Sequence, residues 1–171
     1  MVEYRARGFT LLELMVTVAV IAIVTAIGYP SFQGVIRSNR AASANNEMLG
    51  MLNLARSEAL RSAQAGAICG SASGTSCDGN WNAGVLAWGD TNANGALDSG
   101  ETVLRYWLGN TRLVVQGPSS GVVAFDARGR RSSAGDQQIT VRPDQCSGQP
   151  LMRTLLINAS GQVRTKKDAC Q

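Results

Sequence analysis

Residues 7–15 read "RGFTLLELM", and this stretch opens the apolar segment that decides how the chain is organised. Within residues 9–29, "FTLLELMVTVAVIAIVTAIGY", the only charged side chain is that of Glu13. A helix of this length spans the hydrocarbon core of a bilayer, which is about 30 Å thick. A removed secretory signal is the first alternative, but its apolar core is only about 7–15 residues long and precedes its cleavage site. The sequence therefore predicts a transmembrane helix over residues 9–29.

The residues around the start of this segment predict its processing. Two arginines precede Gly8, so cleavage after Gly8 would remove a leader of residues 1–8 and keep the helix. Because basic residues favour the cytoplasmic side, we expect the rest of the chain on the periplasmic side of the inner membrane. A carboxylate within a membrane helix needs a partner. For Glu13 we expect the new α-amino group of Phe9, in the same chain or in a neighbouring subunit.

These residues resemble the N-terminus of type IV pilins and type II secretion pseudopilins. The matching positions are Gly8, Phe9, Thr10, Leu11, Glu13 and Pro30. The resemblance implies cleavage between Gly8 and Phe9 by the prepilin peptidase, followed by N-methylation of Phe9. It also implies that Glu13 docks the subunit into a helical filament. An ordinary signal anchor is the alternative interpretation.

Helical periodicity continues through residues 30–65. Apolar side chains recur at helical spacing, at Ala41, Ala44, Met48, Met51, Leu52, Ala55, Ala59 and Ala63. This stripe predicts an amphipathic helix that packs on a globular domain and stops at Gly66. Charged residues of the segment, Arg56 among them, are expected on its solvated face. Pro30 and Gly34 are expected to bend or loosen the helix near the membrane boundary.

The remainder, residues 66–171, has a β-type pattern. Gly, Ser and Asn clusters separate short runs at 84–90, 101–108, 113–115, 121–127, 137–143, 151–158 and 161–165. They predict an antiparallel sheet or two packed sheets, so the fold class is α+β. The pattern "W..G.L.W.D.N.NG..D.GE..LR" and the later "FDARGR" resemble the GspH/FimT/FimU family of minor pilins and pseudopilins. This resemblance implies a type IV pilin-like fold, with a long N-terminal α-helix packed on an antiparallel β-sheet C-terminal domain.

The chain has four cysteines, and an exported chain with an even number of cysteines is expected to form disulfides. Three pairings are open. We favour Cys69–Cys77, which closes a small loop rich in Gly and Ser, and Cys146–Cys170, which ties down the C-terminus. Metal binding is the alternative, but the chain has no histidine and no CxxC spacing.

Residues 90–101, "DTNANGALDSGE", match the spacing of a calcium-binding loop. Hard oxygen ligands at alternate positions can surround Ca²⁺. The flanking runs read as strands rather than helices, however, which argues against an EF-hand. We therefore favour a polar hairpin loop with its turn at Asn94 and Gly95, and we expect no bound metal.

Charge is unevenly distributed. Residues 69–104 carry four acidic and no basic side chains, whereas residues 105–171 carry ten basic and four acidic ones. Lys and Arg bind nucleic-acid phosphates without sequence preference. Some FimT-like minor pilins bind DNA through a C-terminal GRxR motif, but here Gln162 replaces its first Arg. The candidate DNA-binding residues are Arg128, Arg130, Arg131, Gly161, Arg164, Lys166 and Lys167. A solvated basic tail is the alternative.

No nucleophile–base pair, phosphate loop or metal-hydrolase motif is recognisable, so we expect no catalytic residues and no cofactor. The resemblance implies a minor pilin, anchored in the inner membrane by one span and later part of the extracellular fibre. There it would support pilus assembly or priming at or near the tip. Its implied partners are the prepilin peptidase and other minor and major pilins. The alternatives are a minor pilin that binds double-stranded DNA for uptake during transformation and a minor pseudopilin of type II secretion.

Overall fold

The computed structural model describes residues 8–146 and 148–170. Apart from Gly8, the predicted leader therefore lies outside the described residues. The chain divides into two compact units, Met1–Ile36 and Arg37–Gln171. In the first unit, every residue from Leu11 to Ile36 is helical. The second unit holds the remainder of helix α1 (Leu11–Ser62) and all eight strands.

Within the second unit, α1 buries the predicted apolar stripe. Its buried residues are Ala41, Ala44, Met48, Met51, Leu52, Ala55 and Ala59. The predicted end of the helix is wrong, because α1 stops at Ser62. Ala63 is exposed and has a φ of 54°, which breaks the helical conformation. Gly66, expected to be the stop signal, lies inside a strand.

Eight strands follow the helix. They are β1 (Ala65–Gly70), β2 (Gly84–Asp90), β3 (Thr102–Leu108), β4 (Leu113–Gln116), β5 (Val122–Phe125), β6 (Gln137–Pro143), β7 (Met152–Ile157) and β8 (Val163–Asp168). They form two four-stranded sheets, a first sheet in the order β3-β2-β1-β5 and a second sheet in the order β4-β6-β7-β8. All pairings are antiparallel. The sequence analysis predicted every strand except β1.

One buried cluster joins the helix to both sheets. The first sheet contributes Ile68, Val85, Ala87, Val123 and Phe125, and the second contributes Leu113, Val115, Ile139, Val141, Leu155 and Ile157. The helix therefore packs against an inner face of each sheet, which is the predicted α+β arrangement of a long N-terminal helix on antiparallel sheet. Burial of these side chains is the main favourable contribution to the stability of the second unit.

The outer face of the first sheet is covered by loops. Trp88 and Leu86 are buried there against Leu97 from the loop after β2. A disulfide between Cys69 and Cys77 holds the loop after β1, with its Cα atoms 5.7 Å apart. A second disulfide joins Cys146 to Cys170, with its Cα atoms 5.3 Å apart, and secures the end of the chain after β8.

Candidate functional site

The motif residues of the N-terminus stand directly ahead of α1. Gly8 and Phe9 are exposed, and the side chain of Phe9 is 84% exposed. The Thr10 hydroxyl oxygen accepts a hydrogen bond of 3.2 Å from the backbone N–H of Glu13. A Thr at the N-cap with a Glu three residues later is the spacing of a capping box. Thr10 thus starts the helix and holds Glu13 in its first turn.

The helix that follows exposes apolar side chains on every face. Leu12, Ile21 and Ile27 are 72%, 61% and 72% exposed. Among the described residues, α1 is the one helix long and apolar enough to cross a membrane, with a window of mean hydropathy 2.4 and none of that window buried. A helix that is apolar all round requires a lipid or protein environment. The length and the apolar composition of α1 are what make it a candidate membrane span.

Glu13 carries the charge of this segment, and its carboxylate is not satisfied by the described residues. The hydroxyl of Thr17 donates to the carbonyl of Leu14 at 2.9 Å, and that of Thr25 donates to Ile21 at 2.8 Å. The Glu13 carboxylate has neither a hydrogen bond nor an ion pair within residues 8–146 and 148–170. Because an unpaired carboxylate is unfavourable in an apolar environment, its partner must come from elsewhere.

The second candidate site is a basic surface that begins at the turn after β5. The carboxylate of Asp126 accepts hydrogen bonds from the backbone N–H groups of Arg128 and Arg130, both at 2.9 Å. It also pairs with the Arg130 guanidinium at 2.9 Å. Burial alone would raise the pKa of Asp126, but these bonds together hold it below its usual range. Asp126 therefore shapes the turn that carries the basic residues.

This turn packs against the β7–β8 turn, residues 158–162. The backbone N–H of Arg131 donates to the carbonyl of Ala159 at 3.2 Å. Arg56 of α1 spans both turns, since its Nε donates to Gly129 at 2.8 Å and its Nη2 to Ser160 at 3.3 Å. The prediction that Arg56 lies on a purely solvated face was wrong. The two basic segments, remote in sequence, thus meet in the fold.

Gly161 has a packing role at this junction. Its φ is +77°, and a Cβ built there would collide with the carbonyl oxygen of Gly129. The absence of a side chain at Gly161 is therefore explained by the contact between the two turns. Gly161 was also among the candidate DNA-binding residues, a role that this contact does not require.

The basic residues of β8 point to two faces. Because side chains alternate along a strand, Arg164 and Lys166 share the outer face of the second sheet, while Lys167 points to the opposite face with Arg153 across from it. Lys166 pairs with Asp168 at 2.7 Å, and this bond, with one from Thr154, lowers the pKa of Asp168.

The seven candidate DNA-binding residues therefore differ in availability. Arg128, Arg164 and Lys167 are exposed and make no ion pair with the described part of the chain. Arg130 and Lys166 are exposed but already paired with carboxylates. Arg131 is buried, with only 5% of its surface exposed. Arg131, although one of the candidate DNA-binding residues, is therefore not open to solvent in the fold.

The polar side chains of residues 90–101 bond to one another within their own loop. Asp90 is buried, and its carboxylate and that of Glu101 accept hydrogen bonds from backbone N–H groups. The donors are Thr91, Asn94, Gly95 and Asp98. The amides of Asn92 and Asn94, in that order, lower the pKa of Asp98 by donating to its carboxylate. Across the described residues, no group of three or more His, Cys, Asp or Glu is placed to hold a metal ion.

Known protein families match both the N-terminal segment and the β-rich part of this chain. Residues 44–161 match the family described as "Type II transport protein GspH", which covers more than half of the chain. The chain belongs to the GspH family. Residues 4–29 of this GspH-family protein also match the prokaryotic N-terminal methylation motif. It is a minor pilin or pseudopilin of the GspH/FimT/FimU group, serving a type IV pilus or type II secretion.

Similar proteins agree with this assignment. The structure resembles two crystal structures of the type IV minor pilin FimU from Pseudomonas aeruginosa (strain PAO1). One has a TM-score of 0.58 and 21% identity, covering 78% of this chain and 94% of that one. The other has a TM-score of 0.55 and 22% identity, covering 76% and 97%. These likenesses establish the pilin fold.

A relative similar at the N-terminus is "Prepilin peptidase-dependent protein D" of Escherichia coli (strain K12). It is 54% identical over 33 residues, which are 19% of this chain. The chain spans 23% of the length of that relative. The methylation motif implies processing by a prepilin peptidase and assembly with other pilins. The apolar N-terminal helix and the family indicate anchoring in the inner membrane and a place in a pilus-like fibre.

Proposed function

We propose that this protein is a minor pilin of a type IV pilus that incorporates at or near the tip and supports pilus assembly or priming. The observation that carries the proposal is Glu13, a carboxylate without a partner in the described chain on a helix that is apolar on all sides. Such a group is stabilised by a nearby opposite charge, which a neighbouring subunit would provide on assembly. The single span would leave the β-rich domain on the periplasmic side before assembly.

Processing would supply the complementary charge. Cleavage between Gly8 and Phe9 would remove residues 1–8 and expose the α-amino group of Phe9, which the peptidase would then methylate. In the fibre, Glu13 of one subunit would pair with this amine on a neighbour, and the apolar helices would pack together. The capping bond from Thr10 orients the first turn for that contact. Residues 9–29 would form the filament core, and the remainder of α1, which ends at Ser62, would carry the β-rich domain.

Fibre incorporation of a Glu13→Val variant tests this role. We expect the variant to accumulate in the membrane at normal levels and to be depleted about tenfold or more from sheared pili, because the docking charge is lost. Thr17→Val is the matched control, since the Thr17 hydroxyl is already satisfied within its own helix. Immunoblots of membrane and sheared fractions give the ratio. Equal recovery of the two variants in the fibre would refute docking by Glu13.

DNA binding is a second candidate function. The observation that favours it is the contact between the basic turn after β5 and the turn that leads into strand β8, with Arg128 and Arg164 exposed and free of ion pairs within the described residues. Fluorescence anisotropy with mixed-sequence duplex DNA and a salt titration tests it. Residues 37–171 are suitable, because they contain the whole buried core. Binding that weakens with salt is expected; no binding at low salt would exclude this function.

A role in type II secretion is favoured by the description of the matching family. Pilus and secretion filaments use the same kind of N-terminal helix, so only the phenotype separates them. For the proposed pilus role, a deletion strain should lose twitching and retain exoprotein secretion. The opposite pattern would identify the protein as a minor pseudopilin.

A further inference from the structure

Arg131 is a buried cation that forms no ion pair with the described residues. Only 5% of its surface is exposed, and it makes no ion pair with any residue in the described ranges. Its Nε donates to the carbonyl of Asn158 at 3.3 Å, and its Nη1 donates to the Ser133 hydroxyl at 3.1 Å. Its Nη2 is buried and has no hydrogen-bond partner. A guanidinium with five N–H groups thus has donors to spare.

Burial of the Arg131 guanidinium without an ion pair is energetically unfavourable. A buried charge is stable when it is paired, and an unpaired one carries an uncompensated loss of hydration. A trapped water molecule could accept a hydrogen bond from Nη2, but it would supply no opposite charge. Asp126, the carboxylate that lines a cavity together with Arg131, is already bonded to Arg130. An anion taken up by the protein would supply the missing negative charge.

A cavity adjoins this residue. It has a volume of about 460 Å³ and is lined by Asp126, Arg130, Arg131, Ser132 and Ala159. The lining includes the guanidinium groups of Arg130 and Arg131, and Arg56 of α1 bonds to Gly129 in the turn that carries them. Asp126 is the single carboxylate in the lining. Ser132 also lines the cavity and brings a hydroxyl that can donate to a ligand.

We propose that Arg131 anchors a binding site for a phosphate group in this cavity. The guanidinium plane would donate from Nη2, with the Ser132 hydroxyl and Arg130 completing the contacts after a small movement that opens Nη2 to the ligand. A phosphate suits the site because an Arg fork matches its oxygens and because the excess positive charge favours a multiply charged anion. Inorganic phosphate and the phosphodiester of a nucleic acid share this chemistry. The site does not depend on the proposed role in pilus assembly.

Calorimetric titration of the full processed chain, in non-ionic detergent, with inorganic phosphate tests the site. Chloride should balance the ionic strength, so that general screening stays constant. We expect saturable binding, an affinity at least about tenfold weaker in Arg131→Met, and near-normal affinity in Arg40→Gln. Arg40→Gln is the matched control because it removes one exposed positive charge outside the cavity and the two turns. Ser132→Ala, a milder change, should also weaken phosphate binding.

The results of the phosphate titrations, with and without DNA, distinguish the possible sources of the anion. Displacement of phosphate by duplex DNA would identify a nucleic-acid backbone as the source of the anion, whereas saturable phosphate binding unaffected by DNA would identify free phosphate. Absence of saturable heat in the wild-type protein would overturn the proposal without reference to any variant. Unchanged affinity in Arg131→Met, or an equal loss in Arg40→Gln, would overturn it as well. DNA binding without phosphate binding would leave the DNA candidate in place and remove this site.

Discussion

At the scale of single residues, Gly66 shows how a missing side chain determines the contact between helix and sheet. β1 passes so close to α1 that a Cβ at Gly66 would collide with the carbonyl oxygen of Ala55. The colliding atom belongs to the backbone, so no side-chain rotation relieves it. Gly89 pairs with Gly66 across the sheet, yet a Cβ there would only touch Glu58 Cγ at 3.7 Å.

Gly66→Ala should therefore destabilise the β-rich unit while Gly89→Ala should not. We expect a loss of about 1–3 kcal/mol in the free energy of unfolding for Gly66→Ala, because overpacking forces the helix away from β1. The change for Gly89→Ala should stay within about 0.5 kcal/mol. Urea unfolding of residues 37–171 measures both. Similar losses in the two variants would contradict a steric role specific to Gly66.

Single residues also differ in how well their role can be predicted from the sequence. Glu13 stands out because a lone charge in an apolar run is visible in the sequence itself. Arg131 does not, because "RGRR" contains nothing that distinguishes a buried arginine from its exposed neighbours. Its burial results from contact between two turns remote in sequence. Arg56 was missed for the same reason.

At the scale of elements, predictability follows the strength of the periodic signal. The apolar stripe of α1 recurs with helical spacing and was predicted apart from its last residue, Ala63. β1 was missed because its six residues, "AGAICG", are all buried and mostly small, so they show no alternation. In the sequence alone, Gly66 predicts the end of a helix. Tertiary contact, rather than local preference, makes this segment a strand.

Strand β8 provides a prediction based on alternation. Arg164 lies beside the β7–β8 turn and on the outer face of the second sheet, whereas Lys167 faces the other side. If DNA binds this surface, Arg164→Gln should reduce the slope of log affinity against log salt by about 1, because one phosphate contact is lost. Lys167→Gln should leave the slope nearly unchanged. Anisotropy titrations at several salt concentrations measure the slopes, and equal effects would argue for a diffuse basic tail.

At the scale of the whole molecule, the ionisable groups define one pH range in which stability can change. The chain has no histidine, and all four cysteines are in disulfides. Several carboxyls have pKa values below their usual range, each through a named bond. The pairs are Glu58 with Arg61, Asp78 with the backbone N–H of Asn80, Asp98 with Asn92, and Asp168 with Lys166. Asp126 has the same direction of shift.

These shifts predict a flat stability profile near neutrality and a decline in acid. A carboxyl whose pKa is lower in the folded state stabilises the fold at every pH above its pKa in the unfolded state, which is about 3.9 for Asp. This contribution is lost as the pH falls through the pKa of the folded state. Urea midpoints of residues 37–171 should thus be constant from about pH 5.5 to 8 and fall below about pH 4. Asp126→Asn should lower the midpoint at pH 7 and make the acid decline shallower, since the variant has already lost one such group. A steep change between pH 6 and 8 would contradict this account, because it would require a titrating group that the bonds described here do not provide.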